Sequence, residues 1–433
     1  MLRRLGFPDA SRHGALVAGI GIDALGSGVF MPMSVLYFVR TTDVAMARIG
    51  LALGIAAAVA IPLVLVAGGL VDRWGAKRIL LASNLIQAAG YLGYVLAHDL
   101  IAIIAVSSLA AIGQSAFWSS YSPMVAAATE EGEREVWFGF LGALRNVGFA
   151  VGGVVASIVM QLDSAGAYRA MVVVNAISYL LAFAVLLRVR TGMRVPAGAS
   201  SEPASEVASQ VASQMASQEA TESAGSRGAW GALLRDRGYL LLAAGNVSYA
   251  LCTISLVVAI PVYAVATLDL PGWVSGGLLT ANTVLIGFGQ GLVVRGMDGS
   301  RRYRVMIAGQ MVYAAGFVAL AACNWLPRWP AVVGVFVAVT IYTAGELLGG
   351  PPLSAVAVEA APAALRGRYL SAYQLSWNAA NIAAPVVLLA LLAHDPVSVW
   401  VFLVGVALAG AVLFTASARR LPAASVRVAS ADG

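Results

Sequence analysis

Charge is the scarcest ingredient of this sequence: 11% of its 433 residues are charged, about half the share of a soluble domain. Lysine is nearly missing, with Lys77 the single example among 27 basic residues. It closes no Gly-x-x-x-x-Gly-Lys-Ser/Thr loop, so the chain has no phosphate-binding lysine loop and ATP-driven transport is not expected of it. Histidine is limited to His13, His98 and His394, all at termini or edges of apolar runs, which excludes an intramembrane metal site built on imidazole. Cys252 and Cys323 stand alone in apolar segments and read as small core residues, not as a disulfide. The net charge is +6, but the basic residues are dispersed and form no stripe for nucleic acid. Gly19-Ile-Gly-Ile-Asp-Ala mimics a dinucleotide fingerprint, yet it lies in an apolar helix with no strand before it. The chain does not read as an enzyme, and no cofactor or metal is expected.

What the sequence has in abundance is apolar length, 60% of the whole. Long runs recur with turn signals between them, the pattern of an all-α polytopic membrane protein. Twelve transmembrane helices are placed at 14–39, 46–70, 79–97, 100–128, 137–161, 169–190, 240–266, 273–295, 303–323, 331–352, 369–393 and 397–417. Met1 to Arg12 is basic like a signal peptide, but Asp23 interrupts the run that follows and the run continues past Tyr37. An uncleaved first span is expected. With the N-terminus inside, one face collects the basic residues, from Arg3 and Arg4 through Arg73, Lys77 and Arg78 to Arg419, Arg420 and Arg427. The other keeps Arg40, Arg48, Arg169 and Arg328. That asymmetry puts both termini in the cytoplasm. Abundant Ala, Gly, Val and Arg suggests a GC-rich bacterial genome, hence a bacterial inner membrane.

Residues 1–190 form an N-terminal six-helix half, 191–238 a cytoplasmic linker, 239–418 a C-terminal six-helix half and 419–433 a cytoplasmic tail. The linker carries a four-residue repeat, Ala-Ser-Glu-Val from Ala204 and three further Ala-Ser-Gln units, with too few apolar groups to offset the entropy of ordering. The two halves are pseudo-symmetric. Arg134-Glu-Val-Trp-Phe through Asn146 lines up with Arg366-Gly-Arg-Tyr-Leu through Asn378 at a constant offset, each opening a helix.

Between the second and third runs stands Gly68-Gly-Leu-Val-Asp-Arg-Trp-Gly-Ala-Lys-Arg. Two helices joined this briefly need the backbone freedom of glycine. The stretch resembles the loop between helices two and three of the major facilitator superfamily, Gly-x-Leu-Ala-Asp-Arg-x-Gly-Arg-Lys-x. Ala76 stands where that family usually has a basic residue. The resemblance implies a gating motif of Gly68, Asp72, Arg73, Gly75, Lys77 and Arg78. It also implies that Asp72 meets the start of the eleventh helix, near Arg366 and Arg368, with Glu130 or Glu131 as partners for Lys77 or Arg78. Six plus six spans across a linker are the family's arrangement, whose halves rock about a midplane site.

Three ionisable residues lie well inside spans: Asp23, Arg145 and Glu346. Each charge there costs at least ~2.5–3.5 kcal/mol on insertion scales and needs a partner or a watery cavity. Asp23 shares a helical face with Gly19, Gly26, Ser27, Phe30 and Ser34, and Glu346 with Tyr342, Gly349 and Gly350. Each acid either titrates in transport, or bonds a neighbouring helix, or pairs with Arg145 to lock the bundle. Family resemblance implies that the first, fourth, seventh and tenth spans line a central cavity. The polar and aromatic cavity residues expected are Gln114, Trp118, Tyr121, Asn246, Tyr249 and Tyr342 on those spans, with Tyr373, Trp377 and Asn378 on the eleventh. Asn84, Gln87, Tyr91 and Tyr94 make a neater stripe, but on the peripheral third span, and are assigned to packing. Leu144-Arg-Asn-Val-Gly-Phe-Ala-Val-Gly-Gly resembles the glycine-rich antiporter motif of drug exporters without its proline, and Leu109 replaces the arginine that exporters often carry before Gly113.

The sequence thus leads to a monomeric secondary transporter resembling the bacterial twelve-helix drug:proton antiporters, whose partners are a small-molecule substrate, protons and the lipid bilayer. Proton-coupled efflux of small amphiphilic or cationic compounds by alternating access is expected, with Glu346, Asp23 and Arg145 in proton coupling. The alternatives are a proton-coupled importer or facilitator of a small metabolite, and a lipid translocator.

Overall fold

The computed structural model describes residues 13–128, 134–162, 164–189, 233–296, 300–362 and 365–421. Glu130, Glu131 and residues 191–232 of the expected linker lie outside the described residues, as do the side chains of Asp72, Arg134, Arg366 and Arg368.

The described residues are helical in twelve spans: Gly14–Thr41, Met46–Trp74, Ala76–Tyr94, Leu100–Ala128, Arg134–Met160, Ala165–Leu186, Arg237–Thr267, Trp273–Gly296, Arg302–Trp325, Arg328–Glu359, Arg366–His394 and Ser398–Ala418. Ten of them are long and apolar enough to cross a membrane by length and composition. The third falls short because Lys77, Arg78, Asn84 and Gln87 dilute it. Large apolar side chains stay exposed along the spans, Val151, Val154, Ile158, Val174, Phe288, Val401 and Val412 among them, as faces that meet acyl chains must.

Helix starts follow local chemistry. Asp99, Ser164 and Asp236 accept hydrogen bonds from the backbone N–H groups of Ala102, Ala167 and Tyr239, and Asp395 accepts from Val397 and Ser398. Each supplies an acceptor that the first helical turn lacks. The tenth helix runs to Glu359, past the expected end at 352, because it continues through Pro351 and Pro352. In a membrane, neighbouring helices make an interior proline tolerable.

By contacts the chain divides into two units, Met1–Val44 with Ile55–Thr221, and Ala45–Gly54 with Glu222–Gly433. In the first, span one packs on spans five and six, and span three on four and six. In the second, span seven packs on eleven and twelve, and span nine on ten and twelve, the same scheme repeated. The repeat extends to detail. Spans one and seven both change helical pitch at a proline, Pro32 and Pro261. Just beyond it, the Tyr37 hydroxyl donates to the Tyr94 carbonyl and the Tyr263 hydroxyl to the Leu320 carbonyl, each at 3.1 Å.

Candidate transport site

The first unit holds a buried ion pair. Asp23 of span one and Arg145 of span five can meet because those helices approach closely. A Cβ on Gly152 would sit 2.5 Å from the Leu25 carbonyl oxygen and 2.6 Å from the Val29 nitrogen, so only glycine lets the two backbones so near. Arg145 Nη1 donates to Asp23 Oδ2 at 3.2 Å, with both side chains nearly enclosed. Four rings face the guanidinium carbon. Phe117, Trp118 and Tyr121 of span four lie 5.2, 4.6 and 5.7 Å from it, and Phe149 of span five 5.2 Å. The quadrupole of each ring attracts the cation, by about 0.5–2 kcal/mol apiece depending on desolvation. Four residues further along span one, Ser27 and Tyr179 share a hydrogen bond of 3.0 Å, and the Tyr179 ring stacks on Tyr91.

The second unit holds the other acid in a different setting. Glu346, half-buried on span ten, accepts from the Asn282 side-chain amide of span eight at 2.9 Å. The same amide nitrogen donates to Thr343 Oγ1 at 3.0 Å. Among the described residues Glu346 forms no ion pair. Span seven closes in from the side: the Tyr249 hydroxyl donates to the Glu346 backbone carbonyl at 3.1 Å, and Trp377 of span eleven stands edge-on to the Tyr249 ring. A carboxylate and an amide with the Tyr249 ring beside them suit a cationic group.

The expected site residues distribute unevenly over these two settings. Asp23, Arg145, Trp118 and Tyr121 converge in the first; in the second, Tyr249 meets Glu346 and Trp377 meets Tyr249. Gln114 is exposed and Asn378 half-buried. Asn246 is fully enclosed and joins span seven to span eleven through Ser376 and the Tyr373 carbonyl. Tyr342 is equally enclosed, its hydroxyl donating to the carbonyls of Cys252 and Thr253, while Tyr373 is buried. Asn84, Gln87, Tyr91 and Tyr94 are interior or half-interior, in line with packing. Sequence reasoning overlooked Asn282, whose signal is an amide within a span, and Phe117 and Phe149, which carry no polar signal at all.

The expected gating stretch turns on one residue. Gly75 lies between spans two and three with φ +85°, a conformation that side chains disfavour. Gly68 sits within span two, and Arg73 and Arg78 are exposed. Lys77 Nζ donates to the carbonyls of Leu187 at 2.8 Å and Val189 at 2.7 Å, where it caps the negative end of span six. The partners expected for it, Glu130 and Glu131, lie outside the described residues. In the second unit Arg302, opening span nine, pairs with Glu359 at the end of span ten.

Residues 16–385 match the Major Facilitator Superfamily. The chain belongs to that superfamily. Facilitator relatives include the uncharacterized MFS-type transporter YttB of Bacillus subtilis, 23% identical over 82% of this chain and 81% of YttB. A Na(+), Li(+), K(+)/H(+) antiporter of Planococcus maritimus is 22% identical over 74% and 75%. Multidrug resistance protein MdtH of Aeromonas hydrophila is 28% identical over 32% and 35%. The solved nucleoside transporter NupG shares the facilitator fold, with a TM-score of 0.70 at 14% identity over 94% of this chain and 99% of NupG. Family and structural neighbours are transporters of small molecules, not enzymes.

Proposed function

We propose that the protein is a secondary active transporter of the bacterial inner membrane that exports small cationic or amphiphilic compounds in exchange for protons, with both termini in the cytoplasm. The observation that carries this reading is the contrast between the two acids. Asp23 is matched by Arg145, whereas Glu346 is matched by a neutral amide. A carboxylate with a fixed counter-charge is held in one state; one facing an amide has a partner in either state. The Asn282 NH2 serves the carboxylate, and after an amide flip its carbonyl serves the carboxylic acid O–H. A cation binding to ionised Glu346 competes with the proton for the same oxygen atoms, so occupancy by one expels the other. That competition is what obligatory exchange requires. Asp23, with Arg145, is the second candidate for the proton-carrying role. Trp377 and Tyr249 supply ring faces for the organic part of the cation, and the gating stretch from Gly68 to Arg78 opens and closes the cytoplasmic side. Two relatives named a cation/proton antiporter and a multidrug resistance protein support exchange and a cationic or drug-like cargo.

The test uses inverted membrane vesicles with an imposed pH gradient, acid inside, challenged with a panel of organic cations and neutral analogues. Export by exchange dissipates the gradient on addition of cations and leaves it unchanged with their neutral analogues. A gradient unaffected by every cation, or collapsed equally by neutral sugars and nucleosides, contradicts the reading.

A further inference from the structure

We propose that the four rings around Arg145 form a recognition site for guanidinium and methylated ammonium groups, which the Arg145 side chain fills as a tethered occupant until a cationic ligand displaces it. The proposal rests on the cation-transport reading above and names the chemical class that reading leaves open.

The contacts of the guanidinium carry the argument. Its planar fork has five N–H donors and is built for bidentate pairing, yet Asp23 receives a single contact, from Nη1, at 3.2 Å. What surrounds the group is ring faces at 4.6 to 5.7 Å, three clustered on span four and the fourth from span five. Such a cage recognises diffuse positive charge and makes little use of donors, so a methylated ammonium that has none satisfies it as well. Asp23 supplies the countercharge for whichever cation is present. The cage is also not sealed by packing: Trp118 and Phe149 are only half-buried, and the neighbouring Asn146 and Val147 are exposed. Arg145 is held through rotatable bonds on span five, and it can swing clear without unfolding the helix that carries it. As a tethered competitor it acts at an effective concentration in the millimolar range, which weakens every external cation and favours those with several ring contacts.

The experiment removes the tethered occupant and supplies a free one. Full-length Arg145→Ala protein in detergent is heated with methylguanidinium, tetramethylammonium or the neutral isostere methylurea at millimolar concentrations, beside the wild type. The expected result is a lowered thermal midpoint that methylguanidinium and tetramethylammonium restore and methylurea does not. Their dissociation constants should be about tenfold or more lower than for the wild type, where the tether competes. Adding Trp118→Ala to Arg145→Ala should abolish most of the response. Equal effects of methylurea and methylguanidinium, no effect of either, or full response without Trp118 overturns the proposal. Should Arg145→Ala fail to fold, Arg145→Gln gives the same comparison. Recovery of folded protein only when methylguanidinium is present supports the proposal, and failure of both variants with and without it counts against. Binding is read here without transport, so a negative result leaves the transporter reading standing, and a vesicle failure leaves the cage standing.

Discussion

Neutralising Arg145 while leaving Asp23 in place should be worse than removing both charges. The two lie 3.2 Å apart with side chains 9% and 4% exposed. At an effective dielectric near 20, charges about 4 Å apart attract by about 4 kcal/mol. Breaking one partner of a buried pair costs about 3–5 kcal/mol, because the survivor is left unmatched. Arg145→Gln also loses the four ring contacts, on the order of 0.5–1 kcal/mol each. Asp23→Asn/Arg145→Gln forfeits the attraction and those contacts but leaves no naked charge, and should recover about 2 kcal/mol or more relative to Arg145→Gln alone. At roughly 2–4 °C per kcal/mol for a unit of this size, the combined loss of about 5–9 kcal/mol in Arg145→Gln should lower the unfolding midpoint by about 10–36 °C, and the double variant by clearly less. The assay is a double-mutant cycle on purified protein by thermal unfolding. Losses that add to within about 0.5 kcal/mol would mean that the pair is not energetically coupled, and the reasoning would fail.

Two further outcomes are expected. Gly152→Ala forces a methyl against the Leu25 and Val29 backbones and should cost about 1–3 kcal/mol of stability. Gly405→Ala, with nothing within 4 Å of the new carbon, should leave the midpoint unchanged; equal shifts would refute the close approach of spans one and five. For topology, Ser213→Cys and Ala165→Cys, each in a background lacking Cys252 and Cys323, should label oppositely with a membrane-impermeant maleimide on intact cells. Labelling of the Ser213 site from outside would invert the orientation inferred from the basic residues.

The spans were legible because apolar length is a local property: 100–128 coincides with Leu100–Ala128, and most other ends differ by a few residues. The exception, span ten, shows where the signal weakens, since Pro351 and Pro352 mark a stop in water that a membrane helix passes through. The three buried ionisable residues were equally legible, because charge in an apolar run stands out. Pairing with Arg145 was among the alternatives read from the sequence, and Asp23 makes it; the ring and amide partners were not legible. Phe149 lies one helical turn from Arg145 and was within reach of periodicity, but Phe117 and Trp118 come from another helix, and only packing brings them to the guanidinium. Asn282 is 64 residues from Glu346 in sequence, a pairing that no local pattern encodes. Tyr342 and Glu346 share a face at helical spacing, yet the Tyr342 hydroxyl is committed to the backbone of span seven.

The central claim is that Glu346 exchanges a proton for the exported cation. Glu346→Gln keeps the size of the side chain and its contact with Asn282 but removes the titrating group. The decisive measurement is uptake of a labelled organic cation into inverted vesicles, with and without an imposed pH gradient. Glu346→Gln should lose accumulation against the cation's own concentration gradient while retaining protonophore-insensitive flux down it. Accumulation at the wild-type level, abolished by a protonophore, would contradict the account and pass the role to Asp23.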